Sequence, residues 1–428
     1  MICDTSTPVV VLRSVEHSSL GILRSLGRLR IPVYVMESDR WNPAFFSRYC
    51  RGRFHYQVLN ASAQELIASL EKVAHQLGRR AVLIPTSDET AMFVADHADV
   101  LKKWFLFPAQ RSEVARSLAS KKEMYFVAKS VGIPTAETVF PESRADVLQF
   151  LQTASFPVVL KGIDVMRLWR NAGKRMFIVR SESELLAAYD ALPACEKLNV
   201  MLQEYIPGAD DTVWMFNGYF NENSDCLIGF TGKKIRQCPV YTGVTSLGIC
   251  LTNPMVSDTT CKFMKGIGYR GVLDIGYKYD ARDGSYKVLD VNPRIGATFR
   301  LFLADNGMDV ARALYLDLTG QPVQAGRPIQ GRKWLVEDLD TVSCFRYARD
   351  RKLGFWQWAA SYRGIQETAY FASDDPMPLL PMFVIDAKKA ISRLARMLRP
   401  TPRASQNTGK QPAPESANTE LYTVHTRG

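Results

Sequence analysis

Strand-like and helix-like segments alternate over residues 1–115, and this alternation restricts the fold more than any other feature of the chain. The apolar runs PVVVLR (8–13) and AVLIPTSDE (81–89) are each followed by a segment with helical spacing, and AQELIASLEKVAHQLG (63–78) lies between them. Such alternation is typical of a parallel sheet with helices on both faces. We therefore expect a parallel α/β domain over these residues.

Ligands of parallel α/β sheets bind beyond the carboxyl ends of the strands. Ser87 and Asp88 follow one of the apolar runs, so they are candidates for such a site. No GxGxxG motif follows the first strand, which argues against a dinucleotide-binding fold of the usual kind. An unrelated α/β enzyme such as a reductase is suggested only by the alternation itself.

The composition is that of an ordinary globular protein divided into several domains. The 428 residues are 46% hydrophobic and 23% charged, and they exceed the size of a single core. No run of eighteen apolar residues predicts a transmembrane helix, and the N-terminal MICDTSTPVVVLR is interpreted as a first strand and not as a signal peptide. The eight cysteines form no CxxC pair, so we expect free thiols and a cytoplasmic location, and no zinc site.

The net charge of +11 is compatible with nucleic acid, anionic lipid or phosphorylated ligands. The sequence has no nucleic-acid-binding motif, so we expect no nucleic-acid partner. The basic amphipathic segment AKKAISRLARML (387–398) is expected to pack on the body, with weak contact to a membrane surface as the alternative. Aromatic residues in 331–395 predict an appended C-terminal extension, whereas the polar, proline-bearing residues 396–428 predict a disordered tail.

The segment YKVLDVNPRIGATFR (286–300) combines a strand-like run with polar groups that burial does not normally favour. Asp290 and Asn292 have the same parity, so on a strand both side chains point to one face. Two oxygen-bearing side chains at this spacing suit a hard cation such as Mg²⁺, and Arg294 adds a fixed positive charge. The segment predicts a site for a metal and an anion, with a polar strand end leading into a loop as the alternative.

Three further features precede this segment in a fixed order. Lys161 ends the apolar strand FPVVLK, the hinge-like LQEYIPGADD ends in Asp210 and Asp211, and Asp274 lies in GVLDIGYKYD. With these features the sequence resembles the ATP-grasp superfamily, and within it the carboxylate–amine ligases. The resemblance covers roughly residues 1–320.

The resemblance implies a mixed α/β and α+β fold, in which a pre-ATP-grasp parallel α/β domain precedes a two-lobed ATP-grasp fold. It assigns residues 1–115 to the first domain, 116–205 to a small lid subdomain and 206–330 to a large subdomain with the metal site. The implied activity is an ATP- and Mg²⁺-dependent (or Mn²⁺-dependent) ligase that phosphorylates a carboxylate and joins it to an amine. Many relatives pair as dimers, so a homodimer is also implied.

A role for each motif residue follows from the same resemblance. Lys161 and Lys121 would bind the ATP phosphates, with Lys122 as the register alternative to Lys121, and Arg294 would steady the transferred phosphoryl group. The adenine would be held at the hinge, partly through backbone groups, by Gln203, Glu204, Tyr205 and Ile206. An acid after the hinge would hold the ribose, and this is Asp210 or Asp211. The metal ligands would be Asp274, Asp290 and Asn292.

Two positions depart from the family pattern. A metal glutamate usually stands eight residues before the hairpin glycine, where this chain has Gly276, and Asp274 on the same strand face is the expected substitute. The glycine-rich phosphate lid is reduced to GIDVMRLWRNAGK, in which Arg167, Arg170 and Lys174 are expected to replace backbone amides. These departures support a second hypothesis, a catalytically degenerate nucleotide-binding module or sensor.

The groups that bind the substrates are expected in TGKKIRQCPVYTGVTSLG (231–248). Lys233 and Arg236 stand here beside a small-residue loop and suit a substrate carboxylate, with a solvated basic loop as the alternative. Ser87 and Asp88 would complete this site. The partners are therefore expected to be a small carboxylate and a small amine.

Overall fold

The computed structural model describes residues 3–14, 17–58 and 60–397. The tail predicted at 396–428 lies outside the described residues, except for its first two positions, which end a helix. Within the described ranges, no helix is both long enough and apolar enough to cross a membrane.

The first unit is a five-stranded parallel sheet with the strand order β3-β2-β1-β4-β5. Its elements are β1 (Val9–Leu12), α1 (Ser18–Gly27), β2 (Val33–Glu37), β3 (Cys50–His55), α2 (Ala63–Leu77), β4 (Ala81–Pro85), α3 (Asp88–Asp96), α4 (Ala98–Leu101) and β5 (Phe105–Leu106). Val9 and Val11 pack in one apolar cluster with α1, and Val10 and Leu12 pack in another with α2. Both faces of the sheet are thus covered, and the predicted parallel α/β domain is confirmed.

The second unit carries a four-stranded antiparallel sheet with the order β6-β9-β7-β8. Its elements are α5 (Ser112–Ala119), α6 (Lys121–Ser130), β6 (Thr138–Val139), α7 (Arg144–Leu151), β7 (Val158–Gly162), α8 (Val165–Ala172), β8 (Met176–Val179), α9 (Glu182–Asp190) and β9 (Val200–Glu204). Leu118 and Met124 share an apolar cluster with Phe216 and Phe263 of the following unit. Helices α5 and α6 therefore support the next sheet, although they precede the lid in sequence.

The third unit is a seven-stranded sheet with the order β14-β13-β10-β11-β12-β15-β16. Its elements are β10 (Val213–Phe220), β11 (Cys226–Cys238), β12 (Val244–Cys250), α10 (Pro254–Ile267), β13 (Gly271–Asp280), β14 (Ser285–Asn292), α11 (Val310–Leu318), β15 (Lys333–Leu335), α12 (Glu337–Arg349), α13 (Phe355–Ser361), β16 (Ile365–Thr368) and α14 (Leu379–Met397). Neighbouring strands are antiparallel, except that β15 and β16 run parallel. Gly284 has a φ of 71° in the turn between β13 and β14, where the Asp-Gly pair predicted a hairpin.

Part of the segment 331–395, predicted as an appended extension, is built into the third unit. Strand β15 pairs with β12 and continues the large sheet, and Trp334 on β15 is fully buried in the core that the sheet shares with the first unit. Strands of three or four residues show no clear periodicity, so the sequence pattern missed them. The consequence is that α12 and α13 lie beside the sheet face that carries the site.

Candidate active site

One cavity of about 1010 Å³ gathers the polar residues that the sequence singled out. Its walls come from the carboxyl ends of β1 and β4, from β7 and β9 of the lid, from the β13–β14 hairpin, and from α12 and α13. Most of the residues that the sequence analysis proposed for the site line this cavity, and the exceptions are Lys122, Arg167, Arg170, Lys174 and Lys233. Nine lining residues are lysine or arginine and six are aspartate or glutamate, so the cavity favours anionic ligands.

Three oxygen-bearing side chains on the β13–β14 hairpin face this cavity. Asp274 pairs with Asn292 across the ladder, and Asp290 pairs with Gly276. Asn217 donates a hydrogen bond to Asp274 at 2.7 Å, and the Asn292 amide lies 3.4 Å from the same carboxylate. Burial, together with the charge of Asp290, raises the pKa of Asp274 to about 6, although Arg294 and Lys234 oppose the shift.

Two lysines approach the carboxylates from the other walls of the cavity. The Lys121 ammonium, at the start of α6, donates to Asp290 at 3.0 Å. Burial opposes ionisation of Asp290, but Lys121, Lys161 and Arg294 outweigh it and hold the pKa of that carboxyl below its ordinary value. Lys161 lies at the end of β7, and burial and the charge of Lys121 lower its pKa to about 7.

Arg294 connects the hairpin to the first unit. Its Nε donates to Asp88 at 2.9 Å and its Nη2 donates to Asn292 at 3.3 Å. Ser87 caps α3 by accepting a hydrogen bond from the backbone of Thr90 at 3.3 Å, which fixes Asp88 at the carboxyl edge of β4. The two residues that the sequence placed at a strand end thus reach the same cavity as the acid cluster.

The hinge segment 203–206 lines the cavity between β9 and β10. Glu204 accepts hydrogen bonds from Lys287 and Arg282, each at 2.8 Å. Burial opposes ionisation of the Glu204 carboxyl, but Lys287, the Glu137 amide and Arg282 outweigh burial and lower the pKa of Glu204 below its ordinary value. The Glu204 side chain is therefore held by protein cations, and its backbone N–H donates to the oxygen of Glu137 at 2.9 Å.

Asp210 stands just after the hinge, where its carboxylate is held from two sides. Gln237 on β11 donates to one oxygen at 2.9 Å, and the hydroxyl of Tyr347 on α12 donates to the other. The Tyr347 contact could not be expected from the sequence, because α12 was assigned to a separate extension.

The chain matches no protein-family model. A stretch of 243 residues, 55% of the chain, is 25% identical to the D-aspartate ligase of Enterococcus faecium strain Aus0004 and spans 58% of that relative's length. The L-amino acid ligase structure from Bacillus licheniformis gives a TM-score of 0.54 at 12% identity, over 76% of this chain and 75% of that chain. The biotin carboxylase domain of Hydrogenobacter thermophilus 2-oxoglutarate carboxylase, solved with MgADP and bicarbonate, gives 0.56 at 17% identity, over 74% and 71%.

The likenesses to the two solved structures extend over about three quarters of the chain. The chain has the ATP-grasp fold. The first unit corresponds to the pre-ATP-grasp domain of the prediction, and the two later sheets correspond to its two lobes. The matched stretch covers 58% of the length of the D-aspartate ligase, so the match alone does not assign that enzyme's activity and substrates to this chain.

Gly276 stands where the resemblance predicts a metal-binding glutamate, and the space beside it has room for a side chain. A Cβ placed on Gly276 would have no heavy atom within 4 Å. Asp274, two residues earlier, lines the cavity together with Gly276, as the parity argument expected. The structure therefore places a carboxylate beside Asp290 and Asn292 despite the glycine.

Lys233 was predicted to lie in the site, but it is not among the residues that line the cavity. Its ammonium lies 4.9 Å from the centre of the Trp214 ring, on the opposite face of β11 from Lys234. The Lys234 ammonium lines the cavity and donates to the backbone oxygen of Gly243 at 2.9 Å. Burial lowers the pKa of Lys234, while Asp274, Asp290 and Asp210 oppose that shift.

Arg236 lines the cavity but is committed to a partner that the sequence did not reveal. It forms a two-pronged ion pair with Asp340 of α12, with both contacts at 2.8 Å, and donates to Ser361 at 2.7 Å. The side chains of Arg236 and Asp340 are 4% and 1% exposed. The pair holds α12 and α13 against β11, so we assign Arg236 a positioning role in place of the predicted contact with a substrate carboxylate.

The expected ATP-grasp phosphate lid is a helix in this chain. Asp164 accepts hydrogen bonds from the amides of Met166 and Arg167 and caps α8. Arg167 pairs with Glu196 at 2.9 Å, and Lys174 lies 5.0 Å from the Phe177 ring. Neither residue lines the cavity, nor does Arg170, so the structure does not bring these three charges to the site.

Cavity-wall residues that the sequence analysis missed include Arg175, Lys234, Lys278 and Tyr347. Lys278 shares its strand and its even numbering with Asp274 and Gly276, so the alternation of strand β13 could have identified it. Lys122, the register alternative, lies 3.9 Å from Glu142 and is not among the lining residues, so Lys121 has the position that the site requires.

Proposed function

We propose that this protein is an ATP-dependent ligase that activates a carboxylate as an acyl phosphate and joins it to an amine. The observation that carries the proposal is the convergence of two carboxylates, two lysines and one arginine on a single cavity, namely Asp274, Asp290, Lys121, Lys161 and Arg294. The likeness to a D-aspartate ligase and to an L-amino acid ligase supports the same reaction class.

The nucleotide would lie between the lid and the large sheet. Its adenine would contact the backbone of 203–206, and its ribose hydroxyls would donate to Asp210, which Gln237 and Tyr347 hold in place. The terminal phosphates would then reach Lys121 and Lys161, which supply compact positive charge. Lys161 has no hydrogen-bonding partner among the described residues, so its ammonium is available to a phosphate.

The oxygen donors on the hairpin fit a hard divalent cation. Asp274, Asp290 and Asn292 would hold Mg²⁺ (or Mn²⁺) through carboxylate and amide oxygens, which are the ligands that these ions prefer. A bound Mg²⁺ would neutralise the phosphate oxygens during transfer.

In the first step, a carboxylate oxygen of the acid attacks the γ-phosphorus of ATP, and the bond to the β-phosphate oxygen breaks, which releases ADP and leaves an acyl phosphate. Phosphoryl transfer of this kind needs alignment and charge neutralisation more than covalent help. Arg294 would hold the transferred group, because its guanidinium is itself fixed by Asp88 and Asn292. In the second step, the amine attacks the carbonyl carbon, phosphate leaves with the former carboxylate oxygen, and the nitrogen loses a proton.

A pooled screen of organic acids, amino acids and amines, read out as ADP release and as mass detection of a new amide, tests this proposal. D-aspartate is the first acid to include, because the relative from Enterococcus faecium is named as a D-aspartate ligase. We expect ADP release that depends on both an acid and an amine. Tight ATP binding with no ADP release over a broad pool would overturn the proposal and favour a nucleotide-binding module.

Lys234 is the cation that we expect to hold the acid substrate, and Lys233 beside it provides a matched control. Lys234→Met is expected to raise KM for the acid by about tenfold, because one charge-assisted hydrogen bond is lost. Lys233→Met removes the same charge from the opposite face of the strand and should leave KM close to that of the wild type. If the two substitutions change KM equally, Lys234 does not contact the acid substrate.

A further inference from the structure

Helices α12 and α13 and the loop between them expose an unusual amount of apolar surface, which we call the aromatic–basic rim (residues 342–363). Trp356, Phe345 and Phe355 are 81%, 74% and 66% exposed, and Trp358 is partly exposed. The Phe355 ring lies 5.3 Å from Trp356 and 5.6 Å from Trp358, measured between ring centres. Contiguous exposed rings of this kind mark an interaction site.

The charge of the rim is strongly biased. It contains five basic residues, Arg346, Arg349, Arg351, Lys352 and Arg363, and a single acidic residue, Asp350. Arg349 lies 3.5 Å from Asp350, whereas Arg346, Arg351 and Arg363 form no ion pair with any residue that the structure describes. Unpaired arginines beside exposed rings favour a partner that is both anionic and apolar.

The rim also borders the mouth of the cavity. Lys352, Leu353 and Gln357 belong to both the rim and the cavity wall. A partner bound on the rim would therefore lie next to the entrance through which substrates reach the site.

We propose that the aromatic–basic rim docks the protein on an anionic lipid bilayer, with the cavity mouth turned towards the membrane. Tryptophan and phenylalanine insert at the boundary between headgroups and acyl chains, and arginines are attracted to the anionic surface. The proposal rests on the rim alone and does not depend on the reaction catalysed.

Two other occupants fit the rim less well. A second copy of this chain, docked about a two-fold axis, would bring the same basic residues against each other. A single-stranded nucleic acid stacks its bases on free ring faces, but the exposed apolar surface of the rim also includes Val342 (40%), which offers no ring.

Sedimentation of the full chain with lipid vesicles tests the proposal. We expect the wild-type protein to sediment with vesicles of equimolar phosphatidylglycerol and phosphatidylcholine, less with phosphatidylcholine alone, and less at high salt. Phe355→Ser combined with Trp356→Ser should weaken the partition by about tenfold or more. The matched control is Phe126→Ser combined with Trp169→Ser, two exposed rings on α6 and α8, and it should bind as the wild type does. Arg346→Gln combined with Arg351→Gln should lower both the binding and its dependence on salt.

Three outcomes would overturn the proposal. The first is wild-type protein that does not bind the anionic vesicles. The second is vesicle binding that survives the rim substitutions but is lost in Leu380→Ser combined with Phe383→Ser, because these exposed residues lie on α14. The third is a rim that binds a fluorescent oligothymidylate but no vesicle, which would identify it as a nucleic-acid surface.

Discussion

Replacing Asp290 with asparagine is expected to lower turnover by about three orders of magnitude. Asparagine has nearly the same size and can still accept a hydrogen bond from Lys121, but it carries no charge. The proposed Mg²⁺ would lose its main carboxylate ligand, and two lysines would lose their counter-ion. The measurement is ADP release in the acid–amine pool, together with ADP affinity with and without Mg²⁺. The wild-type protein should bind ADP more tightly with Mg²⁺, whereas the variant should show no difference.

A suitable control for this substitution is Asp225→Asn. Asp225 forms an ion pair with Lys265 at 2.7 Å, and Asp290 forms one with Lys121 at 3.0 Å, but the Asp225 side chain is 54% exposed and is not among the cavity residues. Exposed pairs contribute little to stability, so turnover and the effect of Mg²⁺ should be unchanged. If Asp290→Asn retains the wild-type turnover and the wild-type effect of Mg²⁺ on ADP affinity, the role given to Asp290 is wrong.

The second large effect is a dependence of nucleotide affinity on pH that arises from Lys161. In EDTA, the affinity for ADP is expected to fall about tenfold per pH unit between about pH 7.5 and pH 9. Burial and the charge of Lys121 lower the pKa of Lys161 to about 7, against an opposing effect of Asp290. The phosphates of bound ADP would favour the charged form of Lys161, so ADP binding takes up a proton. The affinity for ADP therefore falls as the pH rises. ADP itself is fully ionised over this range.

Titration calorimetry at several pH values measures this effect, with Lys161→Met as the test variant and Lys122→Met as the control. Lys161→Met should bind ADP weakly at all pH values and show no slope, whereas Lys122→Met should behave as the wild type. The same depressed pKa means that the unfolded chain binds more protons than the folded chain between pH 7 and 10.5. The contribution of Lys161 to the free energy of unfolding therefore rises with pH over that window. Parallel slopes in the wild-type protein and Lys161→Met would contradict the assignment.

The parts of the site that could be predicted are those that follow strand alternation. Asp290 and Asn292 share a parity on one strand of a hairpin whose turn the sequence marks with Asp283 and Gly284, and both side chains reach the cavity. On β11 the alternation is interrupted, because the register shifts between Lys234 and Gln237 and the four residues 234–237 all line the cavity.

The helix α8 was also visible in the sequence. Asp164 is a favourable N-cap, Gly173 a favourable C-terminal residue with a φ of 70°, and Val165, Leu168 and Ala172 have helical spacing. The sequence analysis compared this segment only with a glycine-rich lid and assigned it no secondary structure. The capping residues and the apolar spacing of α8 predict its structure better than the resemblance to the ATP-grasp superfamily does.

The placement of α12 and α13 could not be predicted. It depends on the pairing of β15 with β12, two strands far apart in the sequence, and on the ion pair between Arg236 and Asp340. Neither contact can be recognised from the local sequence, because each partner has the residue type that is common in a strand or on an exposed helix. Tyr347 therefore appeared beside Asp210 only in the folded chain.

The most direct test of the proposed ligase follows an oxygen atom. Acids labelled with ¹⁸O in their carboxyl groups are supplied as a pool with ATP, Mg²⁺ and amines, and the released phosphate is analysed by mass spectrometry. If the carboxylate attacks the γ-phosphorus, each phosphate carries one ¹⁸O, and the label disappears in Asp290→Asn. Unlabelled phosphate, released at the same rate with and without acids, would show that water attacks ATP and that no acyl phosphate forms.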